Sequence, residues 1–342
     1  MKKLSATSLC LCFLIAVSFL FFYFRNPTSN TKMDSYDSRF TFISPIANEG
    51  YWGSAAYGMM QEDAIQNTNT KFIGLTQYTA DQMEEAISSA VYSGANGIIS
   101  VGNPNPSIVS ALHVASAAQI PVVLIDTDSS DIERICYIGT NNYEAGRLAG
   151  KDMTSSFSSP LHVAVILSSA ESNSQSERLR GFQDELSLHQ NCSVETIIEA
   201  NSSLLFLHEV LPRILKENSK INAIFCAEGY SSSIVGKILS SMGEEYDKIK
   251  VVAFDKMEDT LRYVKSGRYF STIVQQSDLM GRLAVKILSD YQKGILPKQD
   301  IIYTDSFSIR QDNFDTVKKY ESEGVIWHLF NGNILQTPLN EN

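Results

Sequence analysis

Cysteine, histidine and basic charge are all scarce in this 342-residue chain, and each shortage removes a class of function. Past the first 25 residues the cysteines are Cys136, Cys192 and Cys226, an odd number with wide spacing. That pattern fits neither a disulfide framework nor a zinc site. Cys136 in ICYIG and Cys226 in IFCAE lie in apolar runs and read as buried strand residues. The five histidines, at 113, 162, 189, 208 and 328, are isolated, so no HExxH or Cys/His cluster is available to hold a metal. There is no GxSxG nucleophile elbow, and GTNNYEAGRLAG (139–150) lacks the lysine and spacing of a phosphate loop. The reading is a protein that is not an enzyme and needs no metal or cofactor. Lys and Arg number 28 against 38 Asp and Glu, a net charge of −10, with no basic run longer than Lys318–Lys319 after the amino terminus. Nucleic-acid affinity depends on clustered Lys and Arg, so a nucleic-acid partner is not expected.

What the chain does have is core-forming material. At 44% hydrophobic and 10% aromatic it can bury a sizeable core, with room for two lobes of ordinary domain size. Its one long apolar run is at the start. Lys2 and Lys3 precede LSATSLCLCFLIAVSFLFFYF, Leu4 to Phe24, which carries no charge and is ended by Arg25. A helix of roughly 20 such residues crosses a bilayer. The exit, YFRNPTSN, offers no small-x-small cleavage site, which favours an uncleaved single-pass anchor over a removed signal segment for residues 1–25. Lys2 and Lys3 hold the extreme amino terminus in the cytoplasm and place the rest outside the cell membrane. Residues 26–39, polar and unpatterned, read as a tether.

From Phe40 onward, short β-rich runs alternate with helical stretches such as DQMEEAISSAVYSG, where Met83, Ile87 and Val91 share a face. The strand candidates are FTFISPI (40), KFIGLTQ (71), GIISVG (97), PVVLID (121), CYIGT (136), HVAVIL (162), VETIIEA (194), AIFCAE (223), KVVAFD (250), STIVQQ (271) and IIYTDSFSI (301). Such alternation means βαβ units and parallel sheets, and eleven strands of this length suit two sheets better than one. Ligands of open parallel sheets bind just beyond the carboxyl ends of the strands. The polar residues there are in VVLIDTD ending at Asp128, SERLRGF with Arg178, AIFCAEGY with Glu228, VVAFD ending at Asp255, and STIVQQSD with Gln275. Carboxylates, an amide and a guanidinium at strand exits point to a small polar ligand.

The order of ANEGYWGSAAYGMMQEDA, PVVLIDTD, YIGTNNYEAGRLAG, SERLRGFQDEL, VVAFD and STIVQQSDLMGRLAVKIL resembles the type I periplasmic sugar-binding proteins, the ribose and xylose binders, over residues 40–325. The resemblance implies an α/β fold of two doubly wound parallel-sheet lobes joined by a three-segment hinge and preceded here by one transmembrane helix. The first lobe would take 40–140 plus 277–304, the second 141–276 plus 305–330, with 331–342 as a tail. It also implies a sugar site. Tyr51 and Trp52 match the family's aromatic pair, which stacks on the sugar ring. Asp126 matches the carboxylate that accepts from two hydroxyls, and Arg178 the guanidinium that forks to ring and hydroxyl oxygens, with Arg180 a neighbouring decoy. Asp255 and Gln275 match the remaining acceptor and amide, and Glu228 stands where ribose binders have Asn. Glu49, Asn103 and Asn142 are secondary candidates for ligand contact. Thr127 replaces an Arg found in ribose binders and removes a strong donor, which with Glu228 argues against ribose itself and leaves an aldopentose such as xylose, or a hexose, open.

A lactose-repressor-like regulator shares this fold but carries a helix-turn-helix where this chain has its apolar segment. The anchored arrangement resembles membrane-held sugar-binding accessory proteins that report occupancy to a membrane histidine kinase of a two-component system. The alternative is the substrate-binding component of an ABC sugar transporter, whose partner is a permease.

Overall fold

The computed structural model describes residues 36–47, 50–155, 160–170, 172–201 and 203–316. The expected anchor (1–25), most of the tether, the end of the second lobe and the tail lie outside them. Among the described residues no helix is long and apolar enough to cross a membrane.

Twelve strands among the described residues form two six-stranded sheets. The first contains β1 (Ser38–Ser44), β2 (Thr68–Gly74), β3 (Gly97–Ser100), β4 (Val122–Ile125), β5 (Cys136–Thr140) and β11 (Ile301–Thr304). Their order is β11-β5-β4-β3-β1-β2, all parallel. The second contains β6 (Leu161–Leu167), β7 (Cys192–Glu199), β8 (Ala223–Cys226), β9 (Lys250–Phe254), β10 (Ser271–Val274) and β12 (Phe307–Arg310). Their order is β12-β10-β9-β8-β6-β7, parallel except for β12, which runs antiparallel to β10.

Each sheet is covered by helices on both faces, and its strands are apolar on both sides for that reason. On β1, Phe40 and Phe42 join one core and Ile43 the other; on β6, Val163, Val165 and Leu167 face one way, Ala164 and Ile166 the opposite way. Helices α1 (Tyr51–Gln66) and α9 (Ser277–Gln292) cover one face of the first sheet, α2 (Ala80–Tyr92) and α3 (Pro106–Ala117) the other. In the second, α4 (Asn142–Ser155) and α5 (Asn173–Ser187) cover one face, while α6 (Leu204–Glu217), α7 (Gly229–Met242) and α8 (Glu258–Lys265) cover the other. Local signals start several of these helices: Thr79 and Ser203 cap α2 and α6 by accepting from Gln82 N and Phe206 N, and Asn105 caps α3 ahead of Pro106. Cys136 and Cys226 are buried strand thiols, as expected.

The run IIYTDSFSI, expected as one strand, is two. It breaks at Asp305–Ser306, so that β11 pairs in the first sheet and β12 in the second. A single extended segment cannot serve both sheets, and the polar pair is where the chain crosses. The other two crossings lie between β5 and α4, at 140–142, and between β10 and α9, at 275–277.

The two sandwiches repeat one plan down to individual contacts. In the first, α1 and α9 touch backbone to backbone: a Cβ at Gly58 would lie 1.9 Å from the Asp278 carbonyl oxygen, and one at Gly281 2.1 Å from that of Ala55. In the second, a Cβ at Gly181 would lie 2.0 Å from the Tyr143 carbonyl oxygen, and one at Gly146 2.0 Å from that of Arg178. A bridge follows in each pair at matching positions, Arg282 to the buried Glu62 at 3.5 Å and Arg147 to the buried Glu185 at 2.9 Å. This register sets Ala55 of the first sandwich against Arg178 of the second.

Candidate functional site

The repeat extends to the strand exits where the sequence placed the ligand. Asp126 directly follows β4 and Asp255 directly follows β9, the third strand from the β11 or β12 edge of each sheet. Both are left-handed, with φ of 66° and 62°, and neither caps a helix. Each backbone N–H donates to the next strand, Asp126 to Ile138 O at 2.9 Å and Asp255 to Ile273 O at 2.8 Å. Each carbonyl accepts a hydroxyl from the residue just before that isoleucine, Tyr137 at 2.8 Å and Thr272 at 2.6 Å. Left-handed backbone is tolerated by Asp at modest cost, and here it turns two carboxylates out of their sheets at equivalent points.

What surrounds them differs. The Asp126 carboxylate accepts from the Tyr51 hydroxyl at 2.6 Å and the Thr127 hydroxyl at 2.9 Å. The Tyr51 oxygen also lies 3.6 Å from Met280 Sδ, and its ring meets Trp52 edge-on at 4.9 Å between centroids. Burial, then the charge of Asp126, pushes the Tyr51 phenol far up, so it remains a donor. Asp255 accepts instead from Gln275 Nε2 at 2.8 Å. Gln275 Oε1 takes Arg178 Nη2 at 3.1 Å and Thr140 Oγ1 at 2.9 Å. Arg178 further donates to Asn142 Oδ1 (2.8 Å) and Ala227 O (2.9 Å), with its guanidinium 3.9 Å from the Phe254 ring centroid. Those three bonds account for three of the five N–H groups of a guanidinium.

Burial raises the Asp255 carboxyl to about 6; Arg178 and Gln275 oppose the rise, while the charges of Asp126 and Glu228 add to it. The charge of Asp126 therefore reaches Asp255 although the two belong to different sheets, and Tyr51 responds to both Asp255 and Arg178. This group of hydrogen-bond acceptors and donors beside the Tyr51 and Phe254 rings suits a small molecule rich in hydroxyls.

Of the residues singled out from sequence, Tyr51 and Asp126 form one hydrogen-bonded set and Asn142, Arg178, Asp255 and Gln275 a second, and the charges of Asp126 on Asp255 and of Asp255 and Arg178 on Tyr51 link the two. Trp52 is half-buried, adjoins Tyr51 and packs on Phe42 at 6.2 Å, contributing to both cores of the first sheet. Glu228 is committed elsewhere: its carboxylate caps α7 by accepting from Tyr230 N (2.5 Å) and Ser231 N (2.7 Å). Asn103 donates to the Tyr78 hydroxyl at 2.7 Å and accepts from Asn105 N at 2.8 Å. Glu49 lies outside the described residues. Asp128, last carboxylate of VVLIDTD, turns away into a two-pronged bridge with Arg134 at 2.6 and 2.7 Å. Arg180 is exposed, paired with Glu177 and lying over the Tyr143 ring.

Thr140, Tyr137 and Tyr78 were not singled out. Burial raises the Tyr78 phenol, its hydrogen bond with Asn103 lowers it, and the charge of Asp126 adds to the rise. Thr140 could have been found by aligning CYIGT with STIVQ, since it holds in β5 the place that Gln275 holds after β10.

A family model described as a periplasmic binding protein domain matches residues 40–295. The chain is 25% identical over 194 residues to the ribose import binding protein RbsB of Haemophilus influenzae, an alignment covering 56% of this chain and 65% of that protein. The match thus spans just under two thirds of that relative's length. Among solved structures, GanP, a glucose-galactose binding protein from Geobacillus stearothermophilus, is 26% identical with a TM-score of 0.74 over 82% of this chain and 99% of that one. A XylFII–LytSN complex is matched at 27% identity and a TM-score of 0.71, covering 81% and 99%.

Proposed function

The chain belongs to the periplasmic binding protein domain family, and from that premise we propose that it is an extracytoplasmic sugar-binding protein for xylose or another aldopentose. The observation that carries this reading is the pair of equivalent carboxylates, Asp126 and Asp255, with their different donor sets, carried on two separate sheets yet close enough for the charge of Asp126 to reach Asp255. A ring held between them stacks on the Tyr51 side and gives its hydroxyl protons to both carboxylates, while Arg178 and Gln275 donate to its oxygens. Because the two halves of this site hang from different sandwiches linked by three crossings, ligand bridging them favours the arrangement in which they are close.

The proposed use of that closure is sensing. The uncharged segment Leu4–Phe24 would hold the domain at the membrane beside a fixed partner, a histidine kinase, to which the closed form presents a different surface. Similarity to a protein solved as a XylFII–LytSN complex supports a signalling partner. Similarity to a ribose import binding protein favours the second reading, a substrate-binding component of an ABC transporter. Deleting the gene separates them. As a sensor, its loss abolishes sugar-induced transcription of the uptake genes but leaves uptake intact when those genes are driven constitutively. Loss of uptake under constitutive drive would make it the transport receptor.

A further inference from the structure

The least expected contact at the site crosses from one sandwich to the other. Thr140 ends β5 in the first sheet; Gln275 follows β10 in the second; both are buried, and each begins a crossing of the chain. Their bond joins Thr140 Oγ1 to Gln275 Oε1 at 2.9 Å. The same amide oxygen takes a longer bond, 3.1 Å, from Arg178, while the amide nitrogen donates to Asp255 at 2.8 Å. An amide has one donor end and one acceptor end, and two donors converging on the oxygen fix which end faces the carboxylate. Arg178 divides its guanidinium among Asn142, Ala227 and Gln275, so without Thr140 the amide oxygen keeps only that longer, shared bond.

We propose that Thr140 is a positioning residue: its hydroxyl, delivered from the first sandwich, holds the Gln275 amide so that an N–H remains on Asp255. Thr140 touches no ligand in this scheme. It ties the state of two crossings to the hydrogen bonding of a site carboxylate, so the site is complete when the crossings adopt this arrangement. The groups facing Asp255 are Arg178 from α5, Gln275, Glu228 at the head of α7, Asp126 beyond β4 and Tyr51 from α1. Losing the Gln275 bond removes one of the two influences that hold the Asp255 carboxyl down.

The role of Asp255 in binding rests on the sugar-binding reading; the positioning of Gln275 does not, and the test separates them. In the full-length chain, Thr140→Val removes the hydroxyl at nearly constant shape, and Thr140→Ser restores it. Carbon NMR of the Asp255 carboxyl in ligand-free protein should show its titration moving up from about 6, by roughly one pH unit in Thr140→Val, and returning in Thr140→Ser. Calorimetry with D-xylose should show about tenfold weaker binding in Thr140→Val and recovery in Thr140→Ser. If Thr140→Val fails to fold, Thr140→Ala against Thr140→Ser makes the same comparison. An Asp255 titration unchanged by loss of the hydroxyl overturns the proposal. A titration that moves in a protein binding no sugar supports the positioning role and overturns the sugar reading.

Discussion

The two sandwiches share a frame and diverge in what they hang on it. Both set an Asp in left-handed backbone after an equivalent strand, both pack two helices at paired glycines, and both lock those helices with an Arg–Glu bridge. At the site the first supplies hydroxyl and ring, Tyr51, Trp52 and Thr127, whereas the second supplies guanidinium and amide, Arg178 and Gln275. The frame is set by sterics and repeats because it must. The fillings are free to differ, and under the proposed function those differences are where recognition resides.

The sharpest way to break the shared frame is at its glycines. Gly58→Ala and Gly181→Ala each drive a methyl into a carbonyl oxygen of the partner helix, and backbone cannot retreat as a side chain can. Each should destabilise by about 3 kcal/mol, at the upper end of overpacking, and by similar amounts in the two sandwiches. Urea unfolding of the two variants checks both the size and the equality.

Next in size is a substitution that makes one half imitate the other. Arg178→Ala installs the residue that the first sandwich already carries at Ala55, so the α4–α5 contact should survive while the ligand loses its guanidinium. Sugar affinity should fall roughly ten- to hundredfold, matching the 1–3 kcal/mol left by an unpaired buried group. Loss of helical signal together with binding would mean that Arg178 serves the fold, and the comparison with Ala55 would fail.

Acid should act on the second sandwich's half of the site through Asp255. Asp255 is held up to about 6, above its unfolded range near 4. The folded state therefore binds this proton more tightly than the unfolded chain. Its contribution to stability is fully present below pH 4 and is lost as pH rises through about 6. Binding runs the other way, because the ionised form accepts hydroxyl protons: affinity should fall as pH drops through about 6, and Asp255→Asn should weaken binding and flatten that limb. Calorimetry across a pH series reads this directly. The smallest effect belongs to Arg180, exposed and paired with Glu177. Arg180→Ala should leave both melting temperature and affinity unchanged.

Much of this was legible in the sequence, and the failures have physical causes. Alternating apolar runs found the strands, since buried parallel strands have little else to be made of. The strand pattern alone ran through Asp305–Ser306, because it marks extended chain but not which sheet it joins, whereas the lobe bounds taken from the resemblance divide the chain at 304–305. Arg178 was separable from Arg180 because a helix turns neighbours to different faces. Glu228's helix-capping role was not separable in the sequence, because a carboxylate at a strand exit can face the ligand or cap the next helix, and spacing is the same for both. Thr140 was passed over because its partner lies across the molecule, 135 residues away in sequence.

The central claim is that sugar occupies the space between Asp126 and Asp255, and titration calorimetry of the full-length chain against a panel of free aldopentoses and aldohexoses tests it most directly. The account predicts saturable one-to-one binding of an aldopentose, with a linked stabilisation of about 2.7 kcal/mol at a hundredfold excess over Kd, and roughly ten- to hundredfold weaker binding in Arg178→Ala with the fold retained. Absence of heat and of stabilisation for every sugar at millimolar concentration would contradict it.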